Sequence, residues 1–204
     1  QYDKVLAIDA NYKSALNNKG NALYRLGKYE EAIIQYDKAL EIDATDVDVL
    51  HNKGLALANL GKHEEAIIQY DKVLAIDPNY KYALNNKGLA LHDLGKYEEA
   101  IIQYDKVLAI EPNEKIPLYN KGVTLEKLGK YEEAIIQYDK VLAIDPNYTF
   151  ALNDKGIALS NLDKHEEAIV QYDKVLAIDP NDEFSLYFKS DSLFELKKFS
   201  EALV

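Results

Sequence analysis

Cysteine is absent from the 204 residues, and so are methionine and tryptophan. Without a thiol there is no disulfide framework, no thiolate zinc site and no cysteine nucleophile. No apolar run approaches the length of a membrane span, and no signal peptide is visible. The chain opens on Gln1 and holds no methionine, so the start of the gene product is read as lying elsewhere. Positive charge is scarce: 24 Lys and Arg stand against 35 Asp and Glu, a net charge of −11. Each lysine sits among acids, and no basic run exists. A nucleic-acid partner is therefore not expected, since phosphate backbones are bound by clustered cations. The acidity reads as a solvated outer face. What is plentiful is apolar surface, 48% of the residues, enough for continuous burial rather than disorder.

That apolar content is periodic. Gly20, Gly54, Gly88, Gly122 and Gly156 stand 34 residues apart, and so do Ala32, Ala66, Ala100, Ala134, Ala168 and Ala202. A fixed period of this length means stacked units that share a continuous core, with no single central one. Residues 1–12 read as the second half of a helix from a preceding unit. Five repeats follow at 13–46, 47–80, 81–114, 115–148 and 149–182, and 183–204 is a partial sixth, cut within its second helix.

Lys81–Glu114 is the cleanest copy. Leu84, Gly88, Leu91 and Leu94 share one face at helical spacing, with Leu89 and Ala90 widening it, which predicts a first helix from about Tyr82 to Leu94. Gly95 supplies the left-handed residue that ends it. Asp163 and Lys197 replace that glycine in the last two units, so a looser turn is expected at Lys197. Glu98 and Glu99 open the second helix, where carboxylates complement the positive end of the helix dipole; this recurrent pair is structural, not an acid–base dyad. Ala100, Ile101, Tyr104, Val107, Leu108 and Ile110 form its buried stripe, and Pro112 stops the chain from continuing as helix. Gly88 and Ala100 are the small residues that let the two helices approach. Each unit is a helical hairpin with one apolar face left over for a neighbour.

At Leu84, Gly88, Leu91, Ala100, Tyr104 and Pro112 the unit resembles the tetratricopeptide repeat, and the match runs the whole chain. The resemblance implies an all-α, right-handed superhelical solenoid of stacked antiparallel helix pairs, whose first helices line a concave groove for peptides. Two columns depart from the family pattern. Leu84 and its equivalents stand where tryptophan is common, a tolerated core exchange. Lys19, Lys53, Lys87, Lys121, Lys155 and Lys189 stand where leucine is usual, and their stems are expected to pack while the ammonium reaches water. Some family members clamp acidic C-terminal peptides with Lys, Arg and Asn. Here the matching positions are Asn17, Asn21, Asn52, Tyr82 and Asn86, so the asparagines are present and the cations are missing.

The residues assigned to the groove are Asn17, Asn21, Tyr24, His51, Asn52, Tyr82, Asn85, Asn86, Tyr119, Asn120, Phe150, Asn153 and Tyr187. One column alternates Asn17, His51, Asn85, Tyr119, Asn153, Tyr187; another alternates Tyr12, Asp46, Tyr80, Glu114, Tyr148, Asp182. They alternate in phase, giving a true period of 68. Duplication of a two-repeat block and a functional alternation both account for it. Arg25 and Lys127 face Asp46, Asp48, Asp93, Glu114, Glu126, Asp182, Asp191 and Glu195, so the groove is acidic as well as aromatic. Such a surface favours an extended peptide with basic and apolar side chains.

His51 and His92 are too few for a metal site, and no nucleophile, base or phosphate loop is positioned. The sequence therefore reads as a non-catalytic scaffold for a protein or peptide partner, without cofactor or metal. Its ends leave a second reading open. Joining Val204 to Gln1 gives SEALVQYDKVLAID, nearly a copy of Glu166–Asp179. Either the chain is a piece of a longer array, or Val5, Leu6 and Ile8 meet Phe199, Ala202, Leu203 and Val204 of another copy in an open head-to-tail filament.

Overall fold

The computed structural model describes residues 12–202 together with Tyr2, Lys4 and Asp9, and only the backbone of residues 198–202. Val5, Leu6, Ile8, Leu203 and Val204 thus lie outside the described residues, as do the side chains of Phe199 and Ala202. The chain divides into two compact units, Gln1–Ile110 and Glu111–Val204.

The described residues hold eleven helices and no strand. The first unit carries α1 (Lys13–Arg25), α2 (Tyr29–Ile42), α3 (Val47–Asn59), α4 (His63–Ile76), α5 (Lys81–Asp93) and α6 (Tyr97–Ile110). The second carries α7 (Lys115–Lys127), α8 (Tyr131–Ile144), α9 (Thr149–Ser160), α10 (His165–Ile178) and α11 (Glu183–Ala202). Within each unit a helix packs on the one before and the one after it, so the fold is an all-α array of antiparallel pairs.

Turn chemistry sets the pairing. Gly27, Gly61, Gly95 and Gly129 adopt φ of 71–74°. At Gly95 the Lys96 N–H donates to the Leu91 carbonyl at 2.9 Å and the Gly95 N–H to that of His92 at 2.8 Å, which satisfies two carbonyls at the end of α5. Asp163 manages the same turn at φ 58°. No turn forms at Lys197: α11 runs unbroken from Glu183 to Ala202. A lysine gains little from the left-handed region and is a good helix former, so continuing the helix costs less than breaking it. Between repeats, the carboxylate of Asp77 accepts the Asn79 N–H at 3.0 Å, and Asp145 and Asp179 do the same for Asn147 and Asn181. These Asx turns share the work first attributed to proline alone.

Gly88 is small for the sake of Tyr104 rather than Ala100. A Cβ on Gly88 would lie 2.5 Å from that ring, and Gly54 stands in the same relation to Tyr70. Tyr36, Tyr70, Tyr104, Tyr138 and Tyr172 of the second helices are fully buried. Ile110, expected in the buried stripe, is instead 42% exposed, whereas Gln103 of the same helix is buried. Leu89 is likewise at the surface.

The lysine column is more than a set of snorkelling stems. Lys53 pairs with Asp37, Lys87 with Asp71 and Lys155 with Asp139, each at 2.5 Å, and Lys189 pairs with Asp173 at 2.6 Å. Each bond ties a first helix to the second helix of the preceding repeat, always 16 residues back.

Candidate functional site

In the first unit the residues assigned to the groove fall on α1, α3 and α5, which lie side by side. Asn52 donates to the Asn17 side-chain carbonyl at 3.3 Å, and Asn59 to the Tyr24 hydroxyl at 3.0 Å. The Asn86 amide nitrogen lies 3.0 Å from Nε2 of His51. Since that nitrogen can only donate, the imidazole is neutral there, in keeping with burial pushing His51 below the ordinary histidine range against the opposing pull of Asp48. His51 also meets Tyr80 edge-on at 5.5 Å and Tyr82 at 6.4 Å. Tyr82 is 60% exposed, and Asn85 is half-buried on the same helix. Asn21 is engaged from below: the buried Tyr36 hydroxyl donates to its carbonyl at 2.8 Å.

Two cavities open on this face in the same register. One of about 240 Å³ is lined by Asn21, Tyr24, Arg25, Tyr36, Asn52 and Leu55. The other, of about 230 Å³, is lined by Leu55, Ala58, Asn59, Tyr70, Asn86 and Leu89 together with His63, Ala90 and Asp93. The first six residues of the second set are those of the first advanced by 34. Each cavity is therefore bounded by two neighbouring first helices and floored by a second-helix tyrosine. The Tyr70 hydroxyl is buried without a hydrogen-bond partner.

The second unit repeats the ring cluster 68 residues on. Tyr119 meets Tyr148 edge-on at 5.4 Å and Phe150 at 6.4 Å, and Phe150 is 63% exposed. The two alternating columns of the sequence thus make contact, which is why they alternate in phase. The Tyr119 hydroxyl donates to Asp154 at 2.7 Å. Asn153 accepts from the Ser185 hydroxyl at 2.7 Å. The backbone carbonyl of Asn120 accepts from Thr124, and Tyr187 packs against Phe188 at 5.1 Å.

The acidic balance differs from the sequence count. Asp46 accepts the Val49 N–H at the start of α3 and pairs with Lys13 at 2.7 Å, so it serves the fold. Asp182 accepts the Ser185 N–H at 2.7 Å at the start of α11, and the nearby Ser185 side chain and N–H hold its carboxyl below the usual range. Asp93 lies 3.6 Å from the His63 ring. Asp154, absent from that count, stands in a column that reads Asn18, Asn52, Asn86 and Asn120 before it and Phe188 after it; the change from amide to acid was the available signal. Burial raises its pKa, opposed by the Tyr119 hydroxyl and Lys127. Glu126 is pushed up to about 7 by burial first and by Asp154 second.

No group of three or more potential metal ligands occurs among the described residues, and none of their helices is long and apolar enough to cross a membrane.

No curated protein matches the chain. Among solved structures, YrrB, described as a TPR protein with an unusual peptide-binding site, is similar with a TM-score of 0.75 at 22% identity, over 93% of this chain and 97% of its own. MamA from Desulfovibrio magneticus gives 0.78 at 26% identity, over 84% and 97%. A tetratricopeptide repeat protein from Parabacteroides merdae gives 0.81 at 22%, over 94% and 76%. Family models described as tetratricopeptide repeat match residues 45–113, 117–148 and 150–182, and one described as TPR repeat matches 20–61. The matched stretches hold the same glycine, alanine and tyrosine positions that pack each helix pair. With these matches over most of its length, the chain belongs to the tetratricopeptide repeat family.

Proposed function

We propose that the first-helix face of the array holds an extended segment of a partner protein, one side chain to each inter-helix cavity, and prefers apolar and basic residues. Membership of the family supports a protein–protein interaction scaffold. The observation that carries the finer reading is the pair of cavities repeating at the 34-residue register, each floored by a buried tyrosine. An extended peptide supplies side chains at regular intervals, which suits a row of equivalent cavities. Polar lining from Asn52, Asn59 and Asn86 can bond the peptide backbone, while Tyr82, Tyr119 and Phe150 offer rigid apolar area at small entropic cost.

Fluorescence anisotropy with a panel of labelled peptides tests this. Basic, apolar sequences are expected to bind, and Tyr82→Ala and Tyr119→Ala to weaken them about tenfold each, or ~1.4 kcal/mol, with helix content unchanged. Acidic peptides outbinding basic ones would overturn the preference.

A further inference from the structure

The residue register that lines both cavities of the first unit recurs in the second with different chemistry. Advancing the Leu55–Leu89 set by 68 residues gives Val123, Glu126, Lys127, Tyr138, Asp154 and Ile157. Ala58 has become Glu126 and Asn86 has become Asp154. No other repeat places two acids in this register: the equivalent pairs are Tyr24 with Asn52, Ala58 with Asn86, His92 with Asn120, and Ser160 with Phe188.

Two carboxylates are close enough here to repel, in a place where burial already disfavours charge. Oε1 of Glu126 is buried with no hydrogen-bond partner. Tyr138 is fully buried and its hydroxyl also lacks a partner, with the Glu126 carboxylate among the charges that act on it. Orphaned buried polar atoms are costly and call for an explanation. Lys127 lies within electrostatic reach of both acids but is exposed at the end of α7 and forms no ion pair with either among the described residues. The Tyr119, Tyr148 and Phe150 rings adjoin this register, and the ammonium of Lys115 already sits 4.6 Å from the centre of the Tyr148 ring. These rings are suited to a cation.

We propose that Glu126, Asp154 and the Tyr138 hydroxyl form a binding site for one primary ammonium group, the lysine side chain of a bound peptide. An ammonium has three N–H donors and no acceptor, and this site offers acceptors from two carboxylates and a phenol oxygen. The inference rests on the reading of the first-helix face as a peptide-binding surface and adds where along that face a basic residue is read. Because the acid pair occurs once, it fixes the register of the peptide. Occupation by a cation also drives the proton from Glu126, so binding strengthens as pH rises through about 7. The groups that act on or respond to Glu126 in its unit are Lys127 on its own helix, Tyr119, Tyr138 on α8, Asp154 on α9 and Tyr172 on α10. Of these, Asp154 is the other carboxyl that burial pushes up.

Two matched pools of blocked peptides, randomised in apolar and small residues, decide the matter. One carries a single central lysine and the other glutamine there. Retention on the immobilised full chain is measured at about pH 5.5 and about pH 8. The lysine pool is expected to be retained about tenfold better at the higher pH, with the preference shrinking at the lower. Glu126→Gln and Asp154→Asn, made separately and checked for helix content, are each expected to abolish the preference and its pH dependence. Equal retention of both pools on the unaltered chain would overturn the ammonium site and leave the peptide surface standing. Retention of neither pool would overturn both. A preference that survives both substitutions would assign the lysine to a different place and overturn the site.

Discussion

Tyr36 and Tyr70 occupy equivalent places one repeat apart, yet the Tyr36 hydroxyl donates to Asn21 and the Tyr70 hydroxyl has no partner. The reason is a single column: Asn21 gives way to Leu55 in the next repeat. Asn21→Leu is therefore expected to orphan Tyr36 as well and to cost about 1 kcal/mol in urea unfolding, a small loss because the later repeats tolerate it. From sequence, Asn21 read as a ligand-facing amide; its bond to the Tyr36 hydroxyl beneath it depended on how deep the tyrosine sits, which no spacing reveals. Glu126 allows a second test at this scale. Its folded-state pKa of about 7 lies above the ordinary 4.5, so the folded chain holds the proton more tightly than the unfolded one. Stability then falls as pH rises from about 4.5 to about 7, and the penalty is complete above that. Glu126→Gln removes it: the variant is expected to match the parent near pH 4.5 and to exceed it by roughly 1–2 kcal/mol near pH 8, allowing for partial solvation of the acid. Thermal melts of both chains across that range would show it, and parallel pH profiles would refute it.

The helices were largely legible as elements. The spacing in Lys81–Glu114 predicts a first helix at about Tyr82–Leu94, and α5 spans Lys81–Asp93. Legibility failed where one residue decides between two local minima, as at Lys197, and where exposure depends on what the neighbouring repeat covers, as at Ile110. The lysine column shows a third kind of gap. Its partners, Asp37, Asp71, Asp139 and Asp173, recur at a constant 16 residues upstream, but a pairing between helices of different repeats needs the stacking geometry to be recognised. The ladder divides into a packing part and a charge part. Side chains of the pair Lys87 and Asp71 are 19% and 51% exposed, so the stem is mostly covered while the carboxylate is half in water. Lys87→Met, which keeps the stem, is expected to cost under about 1 kcal/mol, and Lys87→Ala, which removes it, about 1–2 kcal/mol more. Added salt should narrow the gap between parent and Met variant but not that between Met and Ala. Equal losses for the two substitutions would mean that charge alone holds the helices together.

Across the whole chain, the 68-residue period is a pair of ring clusters, His51 with Tyr80 and Tyr82, and Tyr119 with Tyr148 and Phe150. Duplication of a two-repeat block explains why both exist. It does not explain why the later copy carries Glu126 and Asp154 where the earlier has Ala58 and Asn86. If that difference is what makes one copy read lysine, the earlier copy can be converted. Asn86→Asp alone would not do so: its amide contacts His51, and an acid at that place would raise the imidazole's pKa and recruit it as an internal counter-ion. His51 must become tyrosine, as at Tyr119, so that the ring donates one hydrogen bond and contributes no charge. The combination His51→Tyr, Ala58→Glu and Asn86→Asp supplies the ring, the orphan carboxylate and its neighbour, with the Tyr70 hydroxyl already in place beneath. Titration calorimetry with a short blocked peptide carrying a single lysine, selected on the unaltered chain, is expected to give one site per parent molecule and two per variant. The second site should vanish when Ala58→Glu is reverted, and the first should persist. A stoichiometry that stays at one, in a variant whose helix content and unfolding midpoint match the parent, would show that the acid pair and rings are not sufficient to hold a lysine.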